Sequence, residues 1–154
     1  MIVPQSRKHP PHLPSLDRPA IILLITTCTK NRKQILACDE MHRLLIDACK
    51  LHDDYPVARY VIMPEHVHLF IGENNTSYVS LPNWVAKWKG HVTRRWHRSG
   101  DRPIWQRSFW DRQLLGAAAY ESKWIYVHFN PVRHGLVAHP DDWPFQGQMV
   151  QLRW

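Results

Sequence analysis

The chain is poor in cysteine, poor in acid and without a long apolar run. Its three cysteines, Cys28, Cys38 and Cys49, are odd in number and show no C-x-x-C spacing, which argues against a disulfide framework or a cysteine zinc site. Cysteine usage of this kind fits a reducing cytosol. The apolar run Ile21-Ile22-Leu23-Leu24-Ile25 is far too short to span a bilayer. No signal-peptide pattern opens the chain, so a soluble cytoplasmic protein is expected. Acidic residues number 13 against 20 Lys+Arg, giving +7 and a sequence pI near 9.6. Such an excess favours a polyanionic partner, nucleic acid first. No internal repeat is present, and 154 residues suffice for one domain with a proper core.

What is abundant is histidine and tryptophan. Eight tryptophans are many for this length; packing accounts for most, while exposed rings could stack on unpaired bases, typically for about 1–3 kcal/mol per base. Of the eleven histidines, His66 and His68 stand out in Tyr60-Val61-Ile62-Met63-Pro64-Glu65-His66-Val67-His68-Leu69-Phe70-Ile71. The run reads as two strands joined at Met63-Pro64-Glu65. On a strand, i and i+2 project to one face, so the imidazoles stand together while Val67 and Leu69 enter the opposite apolar layer. This is half of a divalent-metal site, although solvated histidines in an H-x-H pair are common.

A second motif lies sixty residues on, in Tyr126-Val127-His128-Phe129-Asn130-Pro131-Val132-Arg133-His134-Gly135-Leu136-Val137. The stretch before it is helical in character, and Pro131 predicts a stop near Asn130. Tyr126 and Asn130, four apart, are expected on one helical face. A phenol and an amide near two histidines suit attack by the tyrosine on a phosphodiester with metal assistance. A core tyrosine followed by a helix stop is the plainer alternative.

The two motifs resemble the single-tyrosine HUH transposases of the IS200 type, and more closely the REP-associated tyrosine transposases. Met63-Pro64-Glu65-His66-Val67-His68-Leu69 is similar to that family's Met-Pro-Asn-His-Val-His-Leu block. Tyr126 to Val137 resembles its Tyr-Ile-x-x-Asn-Pro-Val-Arg-Ala-Gly-Leu-Val block. Trp105-Gln106 with Asp111-Arg112, and Asp141-Asp142-Trp143-Pro144-Phe145, resemble two further segments in the same order. The resemblance runs over about 19–147. It implies that Tyr126 is the nucleophile and that His66, His68 and Asn130 hold Mg²⁺ or Mn²⁺. It also implies a single-stranded DNA substrate with REP-like hairpins, a 5′-phosphotyrosine intermediate, and a monomer or homodimer. Three departures stand out: Glu65 replaces the family's Asn, His134 replaces an Ala, and Leu115-Gly116-Ala117-Ala118-Ala119 lacks the usual Arg and acidic residues.

The coarse pattern predicts strands over 20–29, 57–63, 66–72 and 103–114. Helices are expected over 39–51, capped by Asp39, over 81–98, and through Tyr126. This β-α-β-β-α-β-α order implies an α+β fold, an antiparallel sheet with packed helices of ferredoxin-like kind; HUH nucleases are built this way. Residues 1–19, rich in Pro and basic groups, are expected to be a flexible arm, and 20–154 one domain. The 81–98 helix sets Trp84, Val85, Trp88, Val92 and Trp96 at helical spacing. Its Lys87, Lys89, Arg94, Arg95 and Arg98 form either a solvated face or a DNA-backbone contact. Arg112 and Arg133 are further nucleic-acid candidates. Two other functions remain open from sequence. One is a non-catalytic single-stranded DNA or RNA-binding module on the same fold. The other is a two-histidine phosphoesterase, for which His91-Val92-Thr93 and His97-Arg98-Ser99 are unsuited because both fall in one segment.

Overall fold

The computed structural model describes residues 21–73 and 78–152. The basic arm expected over 1–19 lies outside the described residues, as does 74–77, where Asn74-Asn75-Thr76-Ser77 has the composition of a turn. Five strands form one antiparallel sheet: β1 (Ile21–Cys28), β2 (Val57–Ile62), β3 (His66–Gly72), β4 (Trp110–Leu115) and β5 (Gln146–Gln148). Their spatial order is β4-β1-β3-β2-β5. Helices α1 (Asp39–Leu51), α2 (Leu81–Arg95), α3 (Gly116–His128) and the short α4 (Asn130–Arg133) fill the connections. The first six elements run β-α-β-β-α-β, the expected ferredoxin-like α+β order, and β5 extends the β2 edge.

Alternation along the strands divides the core into two layers. Leu23, Ile25, Val67, Leu69 and Ile71 pack with Met41 and Leu45 of α1 and with Trp84, Val85, Trp88 and Val92 of α2. Ile22, Leu24 and Phe70 point the other way, against Tyr120 and Val127 of α3 and against Trp143. Trp143 also donates from Nε1 to the Ile62 carbonyl at 2.9 Å, tying the C-terminal segment to the sheet. A register shift between Val57 and Tyr60 puts one extra residue into β2, so both of these side chains join the α1–α2 layer.

Several boundaries differ from expectation, each for a local reason. Helix α1 keeps its predicted span, but Cys38 is the N-cap and Asp39 the first helical residue. Asp39 and Glu40 then lie in the first turn, where negative charge meets the positive end of the helix dipole. Helix α2 starts at a Ser80 cap that accepts from the Asn83 N–H and ends at Arg95, three residues early, because Trp96 turns extended. Residues 103–109 are not strand; among them Trp105 makes one isolated bridge to Thr29. Pro131 does not end the helical run outright, since it opens α4 at a first-turn position where its missing N–H costs nothing. Strand β5 was not expected.

Candidate active site

Strand β3 is central, hydrogen-bonded to β1 on one side and β2 on the other. His66 and His68 project from it onto the α3 side of the sheet, as the alternation predicts. His66 Nδ1 lies 2.8 Å from Glu65 Oε1, and His68 Nδ1 lies 2.9 Å from Thr26 Oγ1, its register partner on β1. A carboxylate only accepts, so the His66 proton sits on Nδ1. With the same tautomer at His68, both Nε2 atoms carry lone pairs, and they face each other at 3.1 Å. The Asn130 amide meets both, with Nδ2 at 3.1 Å from His66 Nε2 and 3.2 Å from His68 Nε2.

Burial keeps these imidazoles neutral. Burial lowers the His68 pKa to about 3, helped by His66, Lys123, Arg133 and His134. His66 is also pushed down, by burial first, with Glu65 pulling the other way. Neutral imidazoles are the ligand form. Two convergent lone pairs at 3.1 Å repel unless a proton donor or a cation lies between them. Turning the Asn130 amide over would present its oxygen at the same point. Cis donors on a small octahedral ion with bonds of about 2.1 Å lie about 3 Å apart, so the spacing fits such an ion. Among the described residues no group of three or more His, Cys, Asp or Glu is arranged to hold a metal. The donor set that fits is two imidazoles and one amide.

The structure does not join every expected residue. Tyr126 is 58% exposed while Asn130 is 7% exposed. Helix α3 ends at His128, and Asn130 begins α4 after a bend at Phe129 (φ −81°, ψ −2°). Asn130 is buried beside the histidine pair, and Tyr126 is exposed. Among the described residues the Tyr126 hydroxyl hydrogen-bonds to neither histidine. Its ring instead carries the Arg133 guanidinium at 3.9 Å and the Lys123 ammonium at 4.9 Å from its centroid, and Arg133 also donates to the Tyr126 carbonyl. His128, two residues on, is bound by Gln146 Oε1 at 2.8 Å and Asp141 Oδ1 at 3.0 Å, away from the histidine pair.

The cations fall into two groups. Arg112 pairs with Leu24 across β1 and β4, which puts it on the histidine face. Lys123 has its pKa lowered by burial and then by Arg112 and Arg133; Lys123 and Arg133 lie on the Tyr126 ring. Lys87, Arg94, Arg95 and Arg98 are exposed, but Lys87, Arg94 and Arg95 ride on α2 and Arg98 lies just past it, with α2 on the opposite layer of the sheet. Lys89 is a correction. It is buried, and its ammonium donates to the Gln106 and Ser108 carbonyls at 3.0 and 3.3 Å, so it is not part of an exposed basic face. Lys123 and Thr26 were missed by sequence. Lys123 was visible as the i−3 neighbour of Tyr126, whereas Thr26 needed the strand register. The N-cap of α3 is Leu115, with no side-chain cap hydrogen bond.

A model of the family described as "Transposase IS200 like" matches residues 19–127. The chain belongs to that family. An Escherichia coli K12 protein named REP-associated tyrosine transposase is 28% identical over 124 residues, covering 78% of this chain and 72% of that protein. A Haemophilus influenzae relative is 28% identical over 110 residues, covering 61% of this chain and 59% of its own length. The fold is shared with a solved REP-associated tyrosine transposase bound to a REP hairpin, at a TM-score of 0.67 and 22% identity over 89% of this chain and 81% of that one. IS200-like transposases are DNA-cleaving enzymes, and this chain has their five-stranded antiparallel sheet with packed helices. Among the described residues no helix is long and apolar enough to cross a membrane.

Proposed function

We propose that this member of the IS200-like family is a metal-dependent single-stranded DNA endonuclease and strand transferase acting beside hairpin elements. The observation that carries the reading is the convergence of His66 Nε2, His68 Nε2 and the Asn130 amide within 3.1–3.2 Å, under the helix that bears Tyr126. His66, His68 and Asn130 would hold Mg²⁺ or Mn²⁺. Bound there, the ion supplies positive charge to the scissile phosphate and a fixed point for its oxygens. Glu65 and Thr26 keep the imidazole Nδ1 atoms protonated and the rings oriented. Arg112, Lys123 and Arg133 lie where a phosphate beside Tyr126 would need charge compensation.

In the reaction, Tyr126 Oη attacks phosphorus and gives its proton to solvent. An oxygen–phosphorus bond forms to the tyrosine as the bond to the 3′ oxygen breaks. That oxygen leaves as a 3′-OH after taking up a proton, and the strand remains as a 5′-phosphotyrosine. A 3′-OH can later reverse the attack, which conserves the bond energy and permits strand transfer without a nucleotide cofactor. Exposed, the Tyr126 ring is accessible to a bound strand, with the Arg133 guanidinium over its face. The partner in this reading is single-stranded DNA with REP-like hairpins, in keeping with the solved relative that is bound to a REP hairpin.

The test is a denaturing gel of protein incubated with Mn²⁺ and labelled hairpin-flanked single-stranded DNA. Wild type should give a label-bearing protein band, and Tyr126→Phe should give none while still binding the DNA. Tight binding without adduct in wild type would instead favour a non-catalytic binding module, the reading to which the exposed, cation-stacked Tyr126 lends itself.

A further inference from the structure

The turn after β1 holds an arginine that the chemistry above does not use. Asn31 (φ 58°, ψ 23°) and Arg32 (φ 53°) are consecutive left-handed residues. Asparagine tolerates this region, but arginine gains nothing from it locally. Strain of this kind persists where the surroundings impose it, and it clusters at functional sites. The base of the turn is pinned firmly. The Thr29 N–H donates to the Glu65 carbonyl at 2.9 Å, and the Lys30 N–H to that of Ile104 at 2.8 Å. Thr29 Oγ1 donates to the Lys33 carbonyl at 2.9 Å. The turn is thereby fixed to the residue just before His66.

Its two inner cations have different employments. Lys33 is committed, donating to the Asp101 and Pro103 carbonyls at 2.7 and 3.1 Å. Arg32 is exposed, and among the described residues its guanidinium meets only Cys28 Sγ, at 3.4 Å. A thiol is a weak acceptor for a group with five N–H donors. Cys28 stands directly across from His66 in the β1–β3 register, and register partners project to one face. The guanidinium therefore lies on the histidine face, one side chain from His66. Its charge is felt there, being among the influences that lower the His66 pKa, after burial.

We propose that Arg32 is a phosphate clamp, donating a bidentate pair of N–H bonds to a backbone phosphate of the strand that crosses the His66–His68–Asn130 cluster. The inference rests on the DNA-cleaving reading of that cluster. Arg112, Lys123 and Arg133 supply charge from the side of β4 and α3. Arg32 supplies it from the end of β1, so the strand is held on two sides of the reacting phosphate. A planar fork suits a phosphate better than an ammonium does.

Binding measured in the Tyr126→Phe background isolates the contact from cleavage. The probe is a fluorescent single-stranded oligonucleotide with its hairpin, followed by anisotropy across a salt series in Mn²⁺. Arg32→Ala should weaken binding about tenfold and flatten the slope of log K against log salt by about 0.7, one phosphate's share on a single strand. Arg32→Lys should recover the slope but not the affinity. Arg32→Gly relieves the left-handed backbone, so it should melt no lower than its parent and yet bind as poorly as Arg32→Ala. Wild-type affinity and slope in Arg32→Ala would overturn the clamp, as would a loss of affinity with no change in slope. Wild-type affinity in Arg32→Lys would show that a point charge suffices and would overturn the bidentate contact. If those results came with weakened binding in Arg133→Ala, the DNA reading would stand and only the clamp would fall. If the parent protein shows no salt-dependent binding at all, both fall together.

Discussion

Lys87 and Lys89 are two residues apart and have opposite surroundings. Lys87 is exposed, while Lys89 lies under the 106–108 segment and holds two of its carbonyls. Burial lowers the Lys89 pKa to about 8, against a smaller upward pull from Cys28. An unfolded lysine titrates near 10.4, so between pH 8 and 10.4 the unfolded chain keeps a proton that the native chain has released. Stability should therefore rise with pH across that window, by up to about 3 kcal/mol from this group. Urea denaturation of wild type and Lys89→Met along the pH series isolates the effect as a difference that grows in favour of wild type. The salt slope of DNA binding should be the same in both proteins; a flatter slope in Lys89→Met would return Lys89 to the DNA surface. The burial of Lys89 was in fact legible. It falls four residues after Val85 and three before Val92, on the apolar stripe of the helix, and its charge alone suggested solvent. The His66–His68 pair was legible for a related reason, since period-two alternation fixes which face each residue takes. Thr26 was not, because its role depends on which strand pairs with β3 and in what register.

At the scale of elements, strong periodicity was readable and weak periodicity was not. Helix α1 and strand β3 have the spans that their patterns predict, since apolar spacing and flanking turn residues agree. Strand β4 is shorter than its pattern because the 103–109 segment is held by Lys89 and a single bridge rather than by a ladder. Strand β5 is three polar residues with no pattern to detect, and Gly147 is there because a Cβ would come 2.7 Å from Tyr60 Oη. The α3–α4 junction was read as a plain stop, and its second half carries Asn130. What ends α4 is Gly135, left-handed at φ 70°. The Gly135 N–H donates to Val132 at 3.0 Å and the Leu136 N–H to Pro131 at 2.9 Å, the paired bonds of a Schellman turn. Space around Gly135 is open, so the cost of a side chain there is conformational only. Gly135→Ala should lose about 1–2 kcal/mol, and thermal melting should fall by several degrees. An unchanged melting temperature would mean that the turn relaxes without loss and does not hold Asn130 in place.

The molecule as a whole is a sheet that separates two chemistries. One layer buries Trp84, Trp88 and the aliphatic faces of α1 and α2, and carries the exposed cations of α2 on its outside. The other layer holds the histidine pair, Asn130 and the cations around Tyr126. The cations of the described residues are thus divided, and those on the histidine face, Arg32 among them, are the ones near the pair. Because β3 is hydrogen-bonded on both sides, the His66–His68 face cannot be lost without disrupting the sheet. Asn130, the third donor, reaches it from α4, 62 residues further along the chain than His68. An ion bound by all three therefore binds the native state and has no equivalent site in the unfolded chain. Linkage then gives about 2.7 kcal/mol of stabilisation at a free ion concentration one hundred times Kd. For a chain of this length that corresponds to a rise of about 5–10 °C in Tm. Mn²⁺ added to metal-free protein should produce this shift with no DNA present. His66→Ala should abolish it, and Glu65→Ala should require about 10–100 times more Mn²⁺ for the same shift, since the carboxylate orients the His66 ring. An equal shift in His66→Ala would place the ion elsewhere and leave the convergent lone pairs without a cation. No shift in wild type at millimolar Mn²⁺ would confine metal binding to the DNA complex, where phosphate oxygens complete the ligand set.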